Sequence, residues 1–196
     1  DAGTFAWLHG IWFGKHSGWI VGDGGLLLTQ FQSAWQPVTS GTTQALHAVF
    51  GVADDDVWAV GDAGTILHWA GSSWVPQPNG LPDGGATTSL RSVWASAKDD
   101  AWVVGGGGAM LHYDGSSWSS AAPAGVTESF EGVWGSGKDD VYAVGVSGTI
   151  LHYDGKKWHP EDGDTSQTLH AVWGSGPGDV WVSGEGGVIL HKGKTP

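Results

Sequence analysis

The stretch Phe130–Trp158, FEGVWGSGKDDVYAVGVSGTILHYDGKKW, contains three short apolar segments separated by turns rich in Gly, Asp and Ser. The segments FEGVW, VYAVG and TILHY are rich in Val, Ile and aromatic residues, and a fourth segment opens at Trp158. Runs of about five such residues between turn formers predict β-strands joined by hairpins. No window keeps the 3.6-residue apolar period of an amphipathic helix. The stretch therefore predicts one four-stranded antiparallel sheet.

The rest of the chain consists largely of imperfect copies of this stretch. The copies recur about every forty residues, and four short strands per repeat are typical of a β-propeller blade. We predict an all-β, five-bladed β-propeller forming a single domain over residues 1–196, with blades at 8–38, 46–78, 90–122, 130–162 and 169–192. The copies align on aromatic residues: the first strand ends with Trp12, Phe50, Trp94, Trp134 and Trp173, the second contains Trp19, Trp58, Trp102, Tyr142 and Trp181, and the fourth opens with Trp35, Trp74, Trp118 and Trp158.

These aromatic positions are predicted to serve packing. Blades stack face to face around an axis, so both faces of each sheet need bulky apolar side chains. All but two of the 14 Trp residues fall in the aligned positions, the exceptions being Trp7 and Trp69. We therefore expect blade packing, rather than a platform for a ligand, to be the main role of the repeated Trp residues.

The fifth copy is predicted to lack its outer strand. In each complete copy the outer Trp follows the Leu of the third strand by seven residues, and in the fifth copy that position falls one residue beyond Pro196. A third strand without a neighbour is an open sheet edge that can pair with another chain. We therefore expect self-association through the edge of the last blade as one way for this protein to find a partner.

Composition limits the range of partners. A net charge of −12 argues against nucleic acid, whose phosphates are met by Lys and Arg, and disfavours anionic membrane surfaces. The sequence contains no run of 18 or more apolar residues, so we predict no membrane-spanning segment in it. The chain contains no Cys, so neither a disulfide framework nor a thiolate metal site is expected. Few Lys and Arg together with 35 Gly and 14 Trp favour an extracellular or cell-surface location.

The repeat LHAVFG…DVWAVGDAGTILHW.GSSW resembles the propeller repeats of photosystem II assembly and stability factors and of related bacterial surface proteins. The D-G-x-x-W segments at Asp114–Trp118 and Asp154–Trp158 resemble a degenerate Asp-box of sialidase-like propellers, although His112 and His152 stand where the Asp-box has Ser. Blade one departs further, with Phe31-Gln32-Ser33 in place of the Asp-Gly turn. The resemblance implies a propeller fold and, through the assembly factors, a protein-docking role.

An antiparallel four-stranded blade sends its loops to two rims. The turn rim collects the first-to-second and third-to-fourth turns, where recurring Asp residues are expected to form turns by accepting hydrogen bonds from nearby amides. The linker rim collects the second-to-third turns and the blade-to-blade linkers. Because these linkers vary most between copies, the linker rim is the predicted working face.

The predicted ligand-binding residues lie on this linker rim. Three of them come from the second-to-third turns, and five stand at the entry to the first strands, where they are expected to form a ring at the channel mouth. Such a ring could contact a ligand, change its charge with pH, or hold a divalent metal through its imidazoles and its carboxylate. The simpler alternative is that each His forms a hydrogen bond with a carbonyl group of a linker. The turn residues are Asp23, Asp62 and Glu185, and the ring residues are His9, His47, Arg91, Glu131 and His170.

Three functions are compatible with this arrangement. The first is a non-catalytic recognition module, a lectin-like propeller that binds a glycan at the linker rim. The alternative is a protein-docking scaffold whose acidic surface attracts a basic partner. The second alternative is a glycoside hydrolase, which needs two carboxyl groups about 5–9 Å apart, and only Glu131 with Asp62 or Glu185 could supply them. We predict no catalytic residues, no metal and no cofactor, and rank the lectin first.

Overall fold

The computed structural model describes residues 5–31 and 34–193, and within them it contains five antiparallel sheets. The first four sheets are four-stranded and follow chain order, whereas the fifth has three strands. The strands are β1 (Leu8–Phe13), β2 (Gly18–Gly22), β3 (Leu27–Phe31), β4 (Ala34–Val38), β5 (Leu46–Ala53), β6 (Asp56–Gly61), β7 (Ile66–Trp69), β8 (Trp74–Pro76), β9 (Leu90–Ala97), β10 (Asp100–Gly105), β11 (Met110–Tyr113), β12 (Trp118–Ser120), β13 (Phe130–Gly137), β14 (Asp140–Gly145), β15 (Ile150–Tyr153), β16 (Trp158–Glu161), β17 (Leu169–Gly176), β18 (Asp179–Gly184) and β19 (Ile189–Lys192).

The only helical elements in the described residues are single 3₁₀ turns. They lie at Asp23–Gly25, Pro82–Gly85, Gly106–Gly108, Val146–Gly148 and Glu185–Gly187. The described residues contain no helix long and apolar enough to cross a membrane. The all-β propeller fold with a three-stranded last blade, predicted from the repeats, is confirmed. The departure at Gln32 and Ser33 of blade one falls outside the described residues.

Consecutive blades share one hydrophobic core at each interface. Between blades two and three, Trp58 and Val60 of β6 face Val93 of β9 and Val103 of β10, and all four side chains are buried. The same arrangement joins the other consecutive pairs of blades. Each sheet therefore depends on its neighbours for burial of its two faces.

Aromatic contacts link blade one to blade two, blade two to blade three, and blade three to blade four. The Trp118 ring at the start of β12 meets the Trp58 ring of blade two edge to face, with ring centroids 5.1 Å apart and an interplanar angle of 90°. Tyr113, opposite Trp118 in the sheet, lies 4.9 Å from the same Trp58 ring. Edge-to-face pairs of this kind add roughly 0.5–1.5 kcal/mol to the burial of the rings. Trp69 takes the place of Tyr113 in blade two, so it belongs to a third-strand aromatic position that the alignment did not include.

The first strands approach one another closely. A Cβ added to Gly10 of β1 would lie 3.2 Å from the Cα of Ala48 in β5, and one added to Gly132 of β13 would lie 3.2 Å from the carbonyl oxygen of His170. Small residues are therefore needed on this side of the first strands, and the first strands form the inner layer of the propeller.

The outward faces of blades one and five are apolar and exposed. Trp181 and Ile189 are 44% and 69% exposed, whereas their counterparts in blade three, Trp102 and Met110, are 2% and 0% exposed. In blade one, Leu8 is 45% exposed while the corresponding Leu46 is fully buried. Phe5 and Trp7 are also exposed. The described residues before blade one therefore do not fill the last blade, as Phe5 or Trp7 could have done.

Replacement of the same aromatic position in an inner and a terminal blade tests the packing. We expect Trp102→Ala to lower the free energy of unfolding by about 3–5 kcal/mol, since the ring is fully enclosed. Trp181→Ala should cost only about 1–2 kcal/mol, because nearly half of that ring already contacts water. Urea denaturation of the two variants measures the difference, and equal losses would contradict blade-to-blade burial as its cause.

Candidate functional site

The five predicted ring residues all lie at β-bulges. In blade two, Leu46 is opposite Gly61 and Ala48 is opposite Val60, so His47 between them has no partner across the sheet. A bulge leaves one residue unpaired and redirects its side chain. The same irregularity occurs at the start of every first strand, and the residues placed in the bulges are His9, His47, Arg91, Glu131 and His170.

Three ring histidines contact the second-to-third turn of their own blade. Nε2 of His9 lies 2.7 Å from Oδ1 of Asp23, and Nε2 of His47 lies 2.8 Å from Oδ1 of Asp62. His170 and Glu185 are further apart, at 3.8 Å between Nε2 and Oε1. The turn residues and the ring residues, both predicted from sequence, therefore lie side by side on the linker rim.

The remaining two ring residues form an ion pair between blades three and four. The Arg91 guanidinium donates to Oε1 of Glu131, and both side chains are partly buried. An open cavity of about 360 Å³ lies beside this pair and is lined by His9, His47, Ser89, Arg91 and Glu131. The His9 and His47 rings are 5.4 Å apart across neighbouring blades. The structure thus brings four of the five ring residues around one cavity, and His170 lies outside it.

Two carboxylates of this site, Asp62 and Glu131, have different partners. A hydrogen bond from His47 lowers the pKa of Asp62, and this effect outweighs the opposing effect of burial. A general acid of a glycoside hydrolase needs a raised pKa. Glu131, the other carboxylate nominated for that chemistry, is paired with Arg91. Within residues 5–31 and 34–193, no group of three His, Asp or Glu side chains is placed to hold a metal ion.

Trp7 is a candidate site residue that the repeat pattern did not identify. Its carbonyl oxygen accepts a hydrogen bond of 3.0 Å from the backbone N–H of Asp23, so Trp7 lies beside the second-to-third turn that contacts His9. The side chain is 77% exposed. Ala45, Ser89 and Thr168 make the corresponding backbone contact in other blades. The sequence could have indicated Trp7, because it is one of the two Trp residues outside the aligned positions.

The turn rim is built from structural networks. His112 stacks on Trp102 with ring centroids 4.3 Å apart, and its Nε2 lies 2.7 Å from Oδ1 of Asp100, which also accepts a hydrogen bond from Ser96. The third-strand histidines of blades two, four and five make the same contact with an Asp. Asp114 accepts hydrogen bonds from the backbone N–H groups of Ser116 and Ser117. The repeated Asp and His residues therefore form turns and fix strands, as the repeats predict.

Comparisons with solved structures place the fold among known propellers. YCF48 from Cyanidioschyzon merolae is 18% identical, with a TM-score of 0.74 over all of this chain and 70% of that chain. A structure of YCF48 bound to a D1 peptide is 16% identical, with a TM-score of 0.50 over all of this chain and 96% of that chain. The extracellular domain of a hybrid two-component system from B. thetaiotaomicron is 14% identical, with a TM-score of 0.75 over 96% of this chain and 28% of that chain.

These likenesses establish the fold. The expected resemblance to photosystem II assembly factors is confirmed at the level of a propeller built from repeats. The degenerate Asp-box stays a prediction. No family model matches the chain, and no curated protein matches it significantly.

The contact between His47 and Asp62 can be tested by titration. Removal of the imidazole in His47→Ala takes away the largest cause of the low pKa of Asp62, so that pKa should rise towards its ordinary value. Carboxyl ¹³C NMR follows the titration. His159→Ala, which removes a His–Asp contact on the turn rim, is the matched control and should leave Asp62 unchanged. An unchanged pKa in His47→Ala would show that the pair does not form.

The network around Asp100 predicts a dependence of stability on pH. Burial raises the pKa of Asp100, but hydrogen bonds from His112 and Ser96 lower it by more, so the folded chain prefers the ionised carboxylate. This stabilisation is complete above the ordinary pKa of Asp, about 3.9, and is lost as the pH falls through the lower folded value. We expect Asp100→Asn to cost roughly 1–2 kcal/mol at pH 7 and to flatten the loss of stability between about pH 5 and pH 2. Urea denaturation across that range measures both effects, and a slope like that of the native chain would contradict the assignment.

Proposed function

We propose that this chain is a non-catalytic docking propeller whose linker rim binds an extended segment of a partner protein. The observation that carries the proposal is the ring mouth, where bulges gather His9, His47, Arg91 and Glu131 around an open cavity of about 360 Å³. The exposed Trp7 lies nearby, because its carbonyl oxygen is bonded to the backbone N–H of Asp23, the partner of His9. An open, polar cavity with an exposed aromatic residue near it suits a peptide, since Trp and Arg are common energetic centres of protein interfaces.

Structural similarity supports docking over sugar binding. One of the similar propellers is described as YCF48 bound to a D1 peptide, and none of the three similar structures is described as binding a glycan. The repeated Trp residues that a lectin would need as platforms are mostly buried between blades, including Trp58, Trp74 and Trp118. The docking alternative is therefore better supported than the lectin that the sequence ranked first.

Charge indicates the chemistry of the partner. The chain has a net charge of −12, and the side chains of Asp23, Asp62 and Glu185 on the linker rim are between 43% and 55% exposed. Each ionised carboxylate can accept more hydrogen bonds than its His neighbour supplies. The acidic surface would steer a basic segment towards the protein. We infer that the bound segment carries Lys or Arg.

A peptide-display selection against the immobilised protein tests this function. Selected peptides should carry Lys or Arg, and their synthetic forms should bind in fluorescence polarisation with an affinity that falls as salt is added. Trp7→Ala should weaken binding at least about tenfold. Trp173→Ala, which removes an exposed Trp from the outward face of blade five, is the matched control and should have no effect.

A pair of charge changes separates the two rims. The double variant Asp62→Lys/Glu185→Lys changes the charge of the linker rim and should abolish binding of the selected peptides. The double variant Asp99→Lys/Asp139→Lys makes the same charge change on the turn rim, and most of the peptide binding should remain. An equal loss of peptide binding in both double variants would show that overall charge, rather than the linker rim, causes the effect. Peptides that are insensitive to every linker-rim change, or specific binding on a glycan array that Trp7→Ala abolishes, would overturn the proposal.

A further inference from the structure

The outer strands of blades two, three and four each insert one Trp between their own blade and the preceding one. Trp74, Trp118 and Trp158 each meet a second-strand Trp of the preceding blade edge to face, at centroid distances of 5.0, 5.1 and 5.0 Å. Across the sheet, each of them is opposite the last residue of the third strand, for example Tyr153 opposite Trp158. The chain therefore contains three examples of one binding arrangement.

The junction of blades four and five has a corresponding position without an outer strand. Tyr142 of β14 is the second-strand aromatic of the preceding blade, and it is buried. A cleft of about 110 Å³ beside it is lined by Tyr142, Ile150, Glu161, Val182, Leu190 and Lys192. Among the described residues, β19 pairs only with β18, so its outer edge offers unpaired backbone donors and acceptors.

Lys192 covers this aromatic surface loosely. Its Nζ atom lies 5.2 Å from the centre of the Tyr142 ring and 2.6 Å from Oε1 of Glu161. The Lys192 side chain is 47% exposed, so both contacts are in reach of water and are weak enough to exchange. Lys192 occupies the strand position of Tyr153, the residue that lies opposite an outer Trp in blade four.

The sequences of the outer strands define what the edge would accept. Three of the four read Trp-x-Pro, at Trp35-Gln36-Pro37, Trp74-Val75-Pro76 and Trp158-His159-Pro160. In each case the Pro is opposite the Leu of the third strand. Pro has no backbone N–H to donate, and it is tolerated here because the outer strand is at the edge of the sheet. All three segments already form outer strands, so none of these three is free to be donated by a second folded copy of this chain.

We propose that the open edge of β19, together with the cleft at Tyr142, binds an extended Trp-x-Pro segment of another polypeptide as a fourth strand. The incoming Trp lies opposite Lys192 with its ring on Tyr142, and the Pro lies opposite Leu190. The segment gains main-chain hydrogen bonds along β19 and aromatic burial at one point, as expected for strand addition to a sheet edge.

A synthetic peptide supplies the probe. The sequence of residues 154–162, DGKKWHPED, labelled with fluorescein, should bind the protein saturably in fluorescence polarisation. The same peptide with Trp replaced by Ala should bind at least about tenfold more weakly. This comparison changes only the peptide, so the result does not depend on whether a protein variant folds.

Cross-linking tests the register, because the native chain has no Cys. A peptide with Cys in place of its His should form a disulfide with His191→Cys, since residues directly opposite in an antiparallel pair have Cβ atoms about 4.5–5.5 Å apart. Ile189→Cys, two residues along the same strand, is the control and should cross-link at least about tenfold more slowly, because it lies on the diagonal at about 7–8 Å.

Three results would overturn the proposal. These are no saturable binding, equal binding of the Trp and Ala peptides, or equal cross-linking at the two Cys positions. A stable dimer in analytical ultracentrifugation that the peptide fails to dissociate would assign the edge to a second copy, which is the self-association expected from the sequence. The ring-mouth variants Trp7→Ala and Asp62→Lys should leave peptide binding at β19 unchanged, so this site and the docking site can fail separately.

Discussion

The packing of each sheet against the next is the constraint on which the rest of the structure depends. A blade of about forty residues is too small to bury a core alone, so the apolar side chains of each face are buried only where a neighbouring blade covers that face. This requirement explains why Trp58 and Trp102 are almost completely enclosed while Trp181, in the same strand position of blade five, is half exposed. It also explains why the most abundant aromatic residue of the chain is largely unavailable to a ligand. Recognition must therefore use the rims and the exposed sheet edges.

The linker rim shows how a repeated scaffold carries varied chemistry. Packing fixes the apolar residue that opens the first strand of an inner blade, such as Leu46 or Leu90, but the residue after it lies in a bulge and has no partner across its own sheet. That position is free to differ between copies, and it holds His, Arg or Glu. Five copies of one bulge thus produce a ring of unlike polar side chains without disturbing the core. In this ring Arg91 is paired with Glu131 and Asp62 with His47, an arrangement that suits the proposed recognition surface better than an acid–base pair.

The two proposed sites differ in the part of a polypeptide that they recognise. The ring mouth presents charged and aromatic side chains, so it would read the side chains of a partner segment. The edge of β19 presents main-chain groups, with the cleft at Tyr142 selecting one aromatic residue. The two sites lie in different parts of the fold, the first on the linker rim and the second at the outer edge of β19. The two proposals together therefore allow one propeller to hold two extended segments at once.

The sequence alone determined that residues 5–31 and 34–193 form five sheets, and it also determined the order of their strands. These features follow from local turn residues and from aromatic positions repeated about every forty residues, and such signals do not depend on distant contacts. The sequence also predicted that the ring residues lie on the linker rim, because the order of the strands decides which loops share a rim. Only the tertiary structure decided their partners, since Arg91 meets Glu131 across forty positions of chain, and a bulge shifts register by an amount that no residue pattern reveals. Exposure likewise depended on the tertiary structure: Trp102 and Trp181 have the same local sequence context, and only the presence of a following sheet separates a buried ring from a solvent-exposed one.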